Sequence, residues 1–193
     1  AFHQPVAVLS DPELLKTLDA REVRCGLAEC VKHAMIADAS LLAWMESHLD
    51  AIVRGDLATM ETLIERCARI KCTIVQEDER ETGRRALLNL GHTYAHAIEP
   101  IAELDLKHGE AVAIGLIAAM DAAVQTKRIS TVEADRVRAI IERIGLPTRV
   151  RTAVSIERLM SAMGHDKKVV GGKMRLILPR GVGAAEIAEN VPR

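Results

Sequence analysis

The chain has 193 residues, 49% of them apolar, and its 26 basic side chains nearly balance 27 acidic ones. That length and apolar content suit one good core or two small ones and exclude a disordered tail. The even charge argues against a nucleic-acid surface or a polybasic membrane face, and three aromatics (Phe2, Trp44 and Tyr94) are too few for a base-stacking platform.

Read in chain order, Val6-Ala7-Val8-Leu9 predicts a short buried strand ended by Ser10-Asp11-Pro12. Glu13 to Leu18 predicts a short helical turn. From Arg21 to about Asp38 apolar residues recur at helical spacing (Val23, Leu27, Cys30, Val31, Ala34, Met35), and Ser40 to His48 predicts another helix. A long helix is expected from about Asp56 to Glu77, carrying Leu57, Met60, Leu63, Ile64, Cys67, Ile70 and Ile74. Asp78 to Arg85 is a charged break around Gly83. Leu87 to Ile98 resumes helical periodicity and stops before Pro100. His108 to Val124 is apolar on nearly every side of its early turns, which predicts the central buried helix. Thr131 to Ile144 is amphipathic and ends at Gly145-Leu146-Pro147, a helix stop. Ser155 is expected to cap a short helix reaching about Met163. Met174 to Leu178, Pro179-Arg180-Gly181 and Ala184 to Ile187 read as a β-hairpin. The fold class expected is mainly α: one multi-helix domain over residues 1–193, with a short N-terminal strand and a C-terminal β-hairpin.

Cys25, Cys30, Cys67 and Cys72 form no C-x-x-C pair, which excludes a zinc ribbon or thioredoxin motif. Inside helical stretches they act as small hydrophobes, and a reducing cytoplasm is the natural setting. The first residues carry no basic stretch ahead of an apolar run, so no signal peptide is expected. The longest apolar stretch, Ala111 to Met120, falls short of the roughly 20 residues that span a bilayer.

Three polar features sit where apolar helix surface is expected. Glu29 and Lys32 are three apart on one helix face. Alone they fit a solvated intrahelical ion pair; their apolar neighbours make a buried carboxylate, which needs a cation, the sharper reading. His92 and His96, four apart, present two imidazoles to one ion as H-x-x-x-H. The Glu that follows the first His in zinc proteases is missing. Gly91 beside His92 lets something approach the backbone closely. His108-Gly109-Glu110 opens the most apolar helix, where a His is often only a capping or core residue. Together, one carboxylate and two or three histidines make a mixed O/N site suited to catalytic zinc. Lys71, Arg85, Lys167 and Lys168 read singly as surface charge; gathered beside a metal they would form an anion pocket.

With these pieces in place the sequence resembles the 3-dehydroquinate synthase family. The resemblance rests on Phe2-His3-Gln4-Pro5; Leu15-Lys16-Thr17-Leu18 with Arg21-Glu22; Gly26 to Lys32; Lys71 with Asp78-Glu79-Arg80-Glu81; Arg85 through Leu87-Leu88-Asn89-Leu90-Gly91-His92-Thr93; His108-Gly109-Glu110-Ala111-Val112; and Asp166-Lys167-Lys168 with Arg175-Leu176-Ile177-Leu178-Pro179. These stand in family order along the whole chain. Arg84, where the family has an apolar residue, is a minor departure.

The resemblance implies a zinc (or cobalt) site of Glu29, His92 and His108, with His96 reassigned to the substrate phosphate. It implies that Lys71 and Arg85 hold the substrate carboxylate. Asn89 and Lys167, or its neighbour Lys168, would stand near the phosphate, with Lys32 lining the site. Thr17, Leu18 and Glu22 correspond to contacts with the adenosine end of NAD. The family's activity is the conversion of a seven-carbon keto-acid sugar phosphate to 3-dehydroquinate with release of phosphate, a lyase step of the shikimate pathway that uses NAD. The N-terminal nucleotide-binding half, with its Gly-rich loop, has no counterpart in these residues, and Gly181-Val182-Gly183 opens no βαβ unit. This chain alone is therefore expected to have no turnover. Partners expected are the sugar phosphate, the missing half and, as is common in the family, a second copy. The alternatives are another sugar-phosphate cyclase, a polyol dehydrogenase-like metal domain, and a non-catalytic helical domain that retains the site.

Overall fold

The computed structural model describes residues 5–151, 154–155, 157–159, 162, 169–170 and 173–189. Among the described residues, six α-helices carry the core: α1 (Ala20–Ala37), α2 (Ala39–Arg54), α3 (Leu57–Glu77), α4 (His92–Ile98), α5 (His108–Gln125) and α6 (Thr131–Ile144). Short 3-10 turns span Pro12–Thr17, Arg84–Asn89 and Ala102–Leu104. Three strands, β1 (Val169–Val170), β2 (Lys173–Pro179) and β3 (Ala185–Glu189), form an antiparallel sheet in the order β1-β2-β3, with Arg175 opposite Glu189 and Pro179 opposite Ala185. The expected class, mainly helical with a C-terminal hairpin, is what the chain adopts.

Short polar residues set the helix ends. Asp19 accepts from the Arg21 amide at 2.7 Å and starts α1; Asp56 accepts from the Thr59 amide at 3.0 Å and starts α3. Asp38 ends one helix and begins the next: its amide donates to the Ala34 carbonyl, and its carboxylate accepts from the Leu41 amide at 3.0 Å. Ser130 and Glu133 form a capping box on α6, and Gly145, at φ 86°, closes it. α5 is buried on every side, from Gly109 and Ala111 through Leu116 and Met120 to Ala123, and packs against α1, α4, α6 and β2. It is the central helix that its composition predicts. α3 buries only the stripe Met60, Leu63, Cys67 and Ile74 and leaves its other face to solvent. All four cysteines are free thiols, with Cys25 and Cys67 buried.

Several expectations need correction. Val6 to Leu9 is neither strand nor buried; among the described residues no strand lies beside it, and its four side chains face solvent. The expected helix over Leu87 to Ile98 is two pieces, the 3-10 turn through Asn89 and then α4, because Gly91 takes a left-handed φ of 79° between them. α2 runs six residues beyond His48, to Arg54, before Gly55 turns it off at φ 73°. β1 lies outside the expected hairpin and adds a third strand to it. Ser155 accepts from the Arg158 amide at 3.2 Å as a cap would, whereas Met163 lies outside the described residues. No helix among the described residues is long and apolar enough to cross a membrane.

Candidate functional site

Three helices each bring one polar residue to a common point. Glu29 comes from the middle of α1, His92 is the first residue of α4, and His108 is the first residue of α5. One ligand atom from each lies within 4.8 Å of the other two. His92 Nε2 is 3.5 Å and His108 Nε2 is 3.7 Å from the same oxygen, Glu29 Oε1. The far nitrogens are also engaged: His92 Nδ1 lies 3.2 Å from the Leu90 carbonyl, and His108 Nδ1 lies 3.1 Å and 3.3 Å from the two Glu99 oxygens. A carbonyl can only accept, so His92 Nδ1 carries the proton and its Nε2 lone pair is left facing Glu29. Lone pairs converging on a carboxylate repel one another unless a cation stands between them. One carboxylate oxygen and two imidazole nitrogens are a donor set that suits zinc or a similar divalent ion.

The carboxylate is ready to serve. Burial works to raise the Glu29 pKa, but the ion pair with Lys32 opposes it, and the group is held below the usual carboxylate range. Lys32, ion-paired with Glu29, keeps only 7% of its side chain exposed, so the solvated surface pair is not what forms. His92 is mostly buried, while His108 is half exposed at 49%. The site is thus closed on the His92 side and open on the His108 side.

Close backbone packing sets these positions. A Cβ on Gly115 would lie 2.2 Å from the Gly91 carbonyl oxygen, and one on Gly109 would lie 2.4 Å from the Cys25 Cα. What approaches Gly91 so closely is therefore the backbone of α5. The first turn of α5 is also pinned by charge. Arg21 donates from Nε and Nη2 to the two Glu110 oxygens at 2.7 Å each, the Lys107 amide donates to Glu110 at 2.9 Å, and Lys107 pairs with Glu22. Glu110 thus reaches back to the amide of the Lys107 N-cap, one half of a capping box, an arrangement that Ser/Thr-based sequence signals miss.

The remaining expected residues divide into several groups. His96, exposed on α4, is outside the three-residue cluster, although its ring lies 5.5 Å from that of His92 and 6.5 Å from that of His108. Of the H-x-x-x-H pair, only His92 belongs to the converging set. Asn89 donates to Glu81 at 2.9 Å and to the Ala86 carbonyl at 3.2 Å. Arg85 sits in the turn packed on α3 and donates to the Glu79 carbonyl; Lys71 is exposed on α3. Thr17, Leu18 and Glu22 lie together on the surface, at the end of the first turn and the start of α1. Lys167 and Lys168 lie outside the described residues, as do Phe2-His3-Gln4. A cavity of about 740 Å³ opens beside Arg21, lined by Arg24, Glu142 and Arg149 among others, and includes none of the three converging residues.

Asp78 holds the loop that carries Arg85. Its carboxylate accepts from the amides of Thr82 at 2.9 Å, Gly83 at 2.8 Å and Arg85 at 2.9 Å. The Arg85 amide is the largest of several backbone donors that depress its pKa to about 2. The unfolded value is about 3.9, and a depressed carboxylate stabilises the fold above that pH and stops doing so as pH falls through the folded value. Loop opening is thus expected between about pH 4 and pH 2. Asp78→Asn should speed hydrogen exchange at the Thr82, Gly83 and Arg85 amides at neutral pH; unchanged protection would remove Asp78 as the organiser of this loop.

Known proteins share both the sequence and the shape of this chain. The profile of the 3-dehydroquinate synthase C-terminal family matches residues 26–169. A solved structure of ValA, the 2-epi-5-epi-valiolone synthase of Streptomyces hygroscopicus subsp. jinggangensis 5008 with NAD+ and Zn2+ bound, is 29% identical. It superposes with a TM-score of 0.85 over 94% of this chain and 51% of its own. A 2-deoxy-scyllo-inosose synthase in complex with carbaglucose-6-phosphate, NAD+ and Co2+ shares the fold at 23% identity and a TM-score of 0.80, over 93% of this chain and 52% of its own. The chain spans about half the length of these proteins.

Proposed function

The chain belongs to the 3-dehydroquinate synthase C-terminal family, and from that premise we propose that it is the metal- and substrate-binding half of an NAD-dependent sugar-phosphate cyclase, specifically a 3-dehydroquinate synthase. The observation that carries this reading is the convergence of Glu29, His92 and His108 on one point with both Nε2 atoms turned inward. The two solved relatives are described with NAD+ and with Zn2+ or Co2+, which supports the same cofactors here. When bound, the metal would supply Lewis-acid polarisation of a hydroxyl or ketone oxygen, and NAD would supply hydride acceptance and return.

The chain's own residues do the rest. Glu29 stays anionic, and Lys32 neutralises it from the buried side. His96, exposed beside the rings of His92 and His108, would donate to the phosphate. Asn89, held by Glu81 and the Ala86 carbonyl, offers a second polar group there. Thr17, Leu18 and Glu22 form the edge to which the nucleotide would come. The described residues include no dinucleotide-binding βαβ unit, so turnover requires a nucleotide-binding half, and none is expected from these 193 residues alone.

Lys71 and Arg85 decide between substrates. Lys71 has no carboxylate partner among the described residues, and Arg85 spends one nitrogen on a carbonyl. Where bound substrate covers the exposed Lys71 and the half-exposed Arg85, a neutral sugar end would leave two cations buried and unpaired, at a cost of several kcal/mol. A carboxylate substrate satisfies both. The likeness to ValA, a 2-epi-5-epi-valiolone synthase, favours a second reading, another sugar-phosphate cyclase whose substrate lacks a carboxylate. The test is phosphate release by the chain joined to a nucleotide-binding half, with each substrate type in turn. For 3-dehydroquinate synthase the keto acid turns over, and Lys71→Ala or Arg85→Ala lowers kcat/KM for it by about 10–100-fold, the worth of a charged hydrogen bond. Turnover of the carboxylate-free substrate alone would establish the second reading instead.

A further inference from the structure

The two histidines of the site are held in different ways. His92 is mostly buried and leans on the Leu90 carbonyl from its own chain segment. His108 is half exposed, opens its helix, and among the described residues bonds to no backbone group through its Nδ1. What meets Nδ1 is Glu99, with both carboxylate oxygens within 3.3 Å. Among the described residues Glu99 pairs with no lysine or arginine; its one ionic partner is His108. Its backbone is fixed, since it caps α4 and its amide donates to the Ala95 carbonyl at 2.9 Å.

From this geometry we propose that Glu99 is the positioning residue for His108. This deepens the metal reading above and rests on it for its effect on zinc. A carboxylate can only accept, so it holds the proton on Nδ1 and leaves the Nε2 lone pair pointing at Glu29. It also keeps a half-exposed ring from swinging into solvent. A third consequence follows from chain order. α4 begins with His92 and is capped by Glu99, so one seven-residue helix carries one imidazole at its start and grips the other from its end. Glu99 thereby ties the spacing of the two histidines to the length of α4.

The test has two parts on the full chain. In the metal-free protein, long-range proton–nitrogen NMR spectra report the tautomer of His108. The Nδ1–H form is expected in the wild type and in Glu99→Gln, whose amide oxygen still accepts, and a mixture is expected in Glu99→Ala. Zinc affinity is then measured by competition with a chromophoric chelator. Glu99→Ala is expected to bind zinc about 10–100-fold more weakly, with Glu99→Gln between it and the wild type, and with the metal-free thermal midpoint unchanged. Wild-type zinc affinity and an unchanged tautomer in Glu99→Ala would overturn the proposal. If instead the tautomer shifts as expected but the wild type binds no zinc, the metal reading is the part that fails, and Glu99 as a metal-positioning residue falls with it.

Discussion

Replacing His92 by alanine is expected to remove zinc binding from the chain, and replacing His96 is expected to leave one zinc per chain. Both histidines lie on one face of α4, and spacing alone gives each an equal claim to a metal. The geometry separates them. His92 Nε2 faces Glu29 at 3.5 Å and shares the cluster with His108, whereas His96 stands outside it. With three protein donors, losing one leaves a two-donor site, a larger defect than the roughly 10–100-fold cost of losing an outer partner. His108→Ala should behave like His92→Ala. Metal content after dialysis, with competition titration for affinity, measures all three. Loss of zinc in His96→Ala together with retention in His108→Ala would move the site onto the H-x-x-x-H pair. Circular dichroism of the metal-free variants checks that α4 still forms.

Much of the helical scaffold is legible in the sequence because its signals are local. Asp19, Asp56 and Ser130 announce their helices by cap chemistry, and Gly145 with Pro147 ends α6. The all-round apolar character of Ala111 to Met120 identifies α5 as the centre. The errors arise where partners decide. Val6 to Leu9 has strand-like residues, yet a strand needs a neighbour to pair with, and the described residues supply none. Gly91 reads as a place where something approaches the backbone; the approaching group is Gly115, which no local pattern links to it. The converging set of Glu29, His92 and His108 draws on helices up to 79 residues apart in sequence, so spacing nominates the donors without choosing among His92, His96 and His108. Glu99 and Arg21 give no local signal of their roles, because those roles exist only through contacts across helices, with His108 and with Glu110.

The closeness of α4 and α5 leads to the second large effect. Gly115→Ala is expected to destabilise the chain and weaken zinc binding together. Helix propensity argues the other way, favouring Ala over Gly by about 1 kcal/mol in a helix interior. Sterics decide the sign. The new Cβ would lie 2.2 Å from the Gly91 carbonyl oxygen, 3.0 Å from the Gly91 carbonyl carbon and 3.1 Å from the Ala95 amide nitrogen, all of them backbone atoms that cannot rotate away. Gly91 cannot retreat easily either: it is held at φ 79°, and a Cβ there would meet the Leu116 amide nitrogen at 2.9 Å. The helices must separate, at a cost of about 1–3 kcal/mol typical of overpacking. Separation also carries His92 on α4 away from His108 on α5, so metal affinity falls with stability. Gly26→Ala is the control. It lies inside α1, where an added Cβ would meet nothing within 4 Å, so the propensity gain of roughly 0.5–1 kcal/mol stands unopposed and the variant is expected to be slightly more stable. Urea midpoints of the two variants, read beside their zinc affinities, decide the matter: opposite signs support backbone contact as the device that sets the metal site, and two stabilised proteins would mean that α4 can shift without disturbing it.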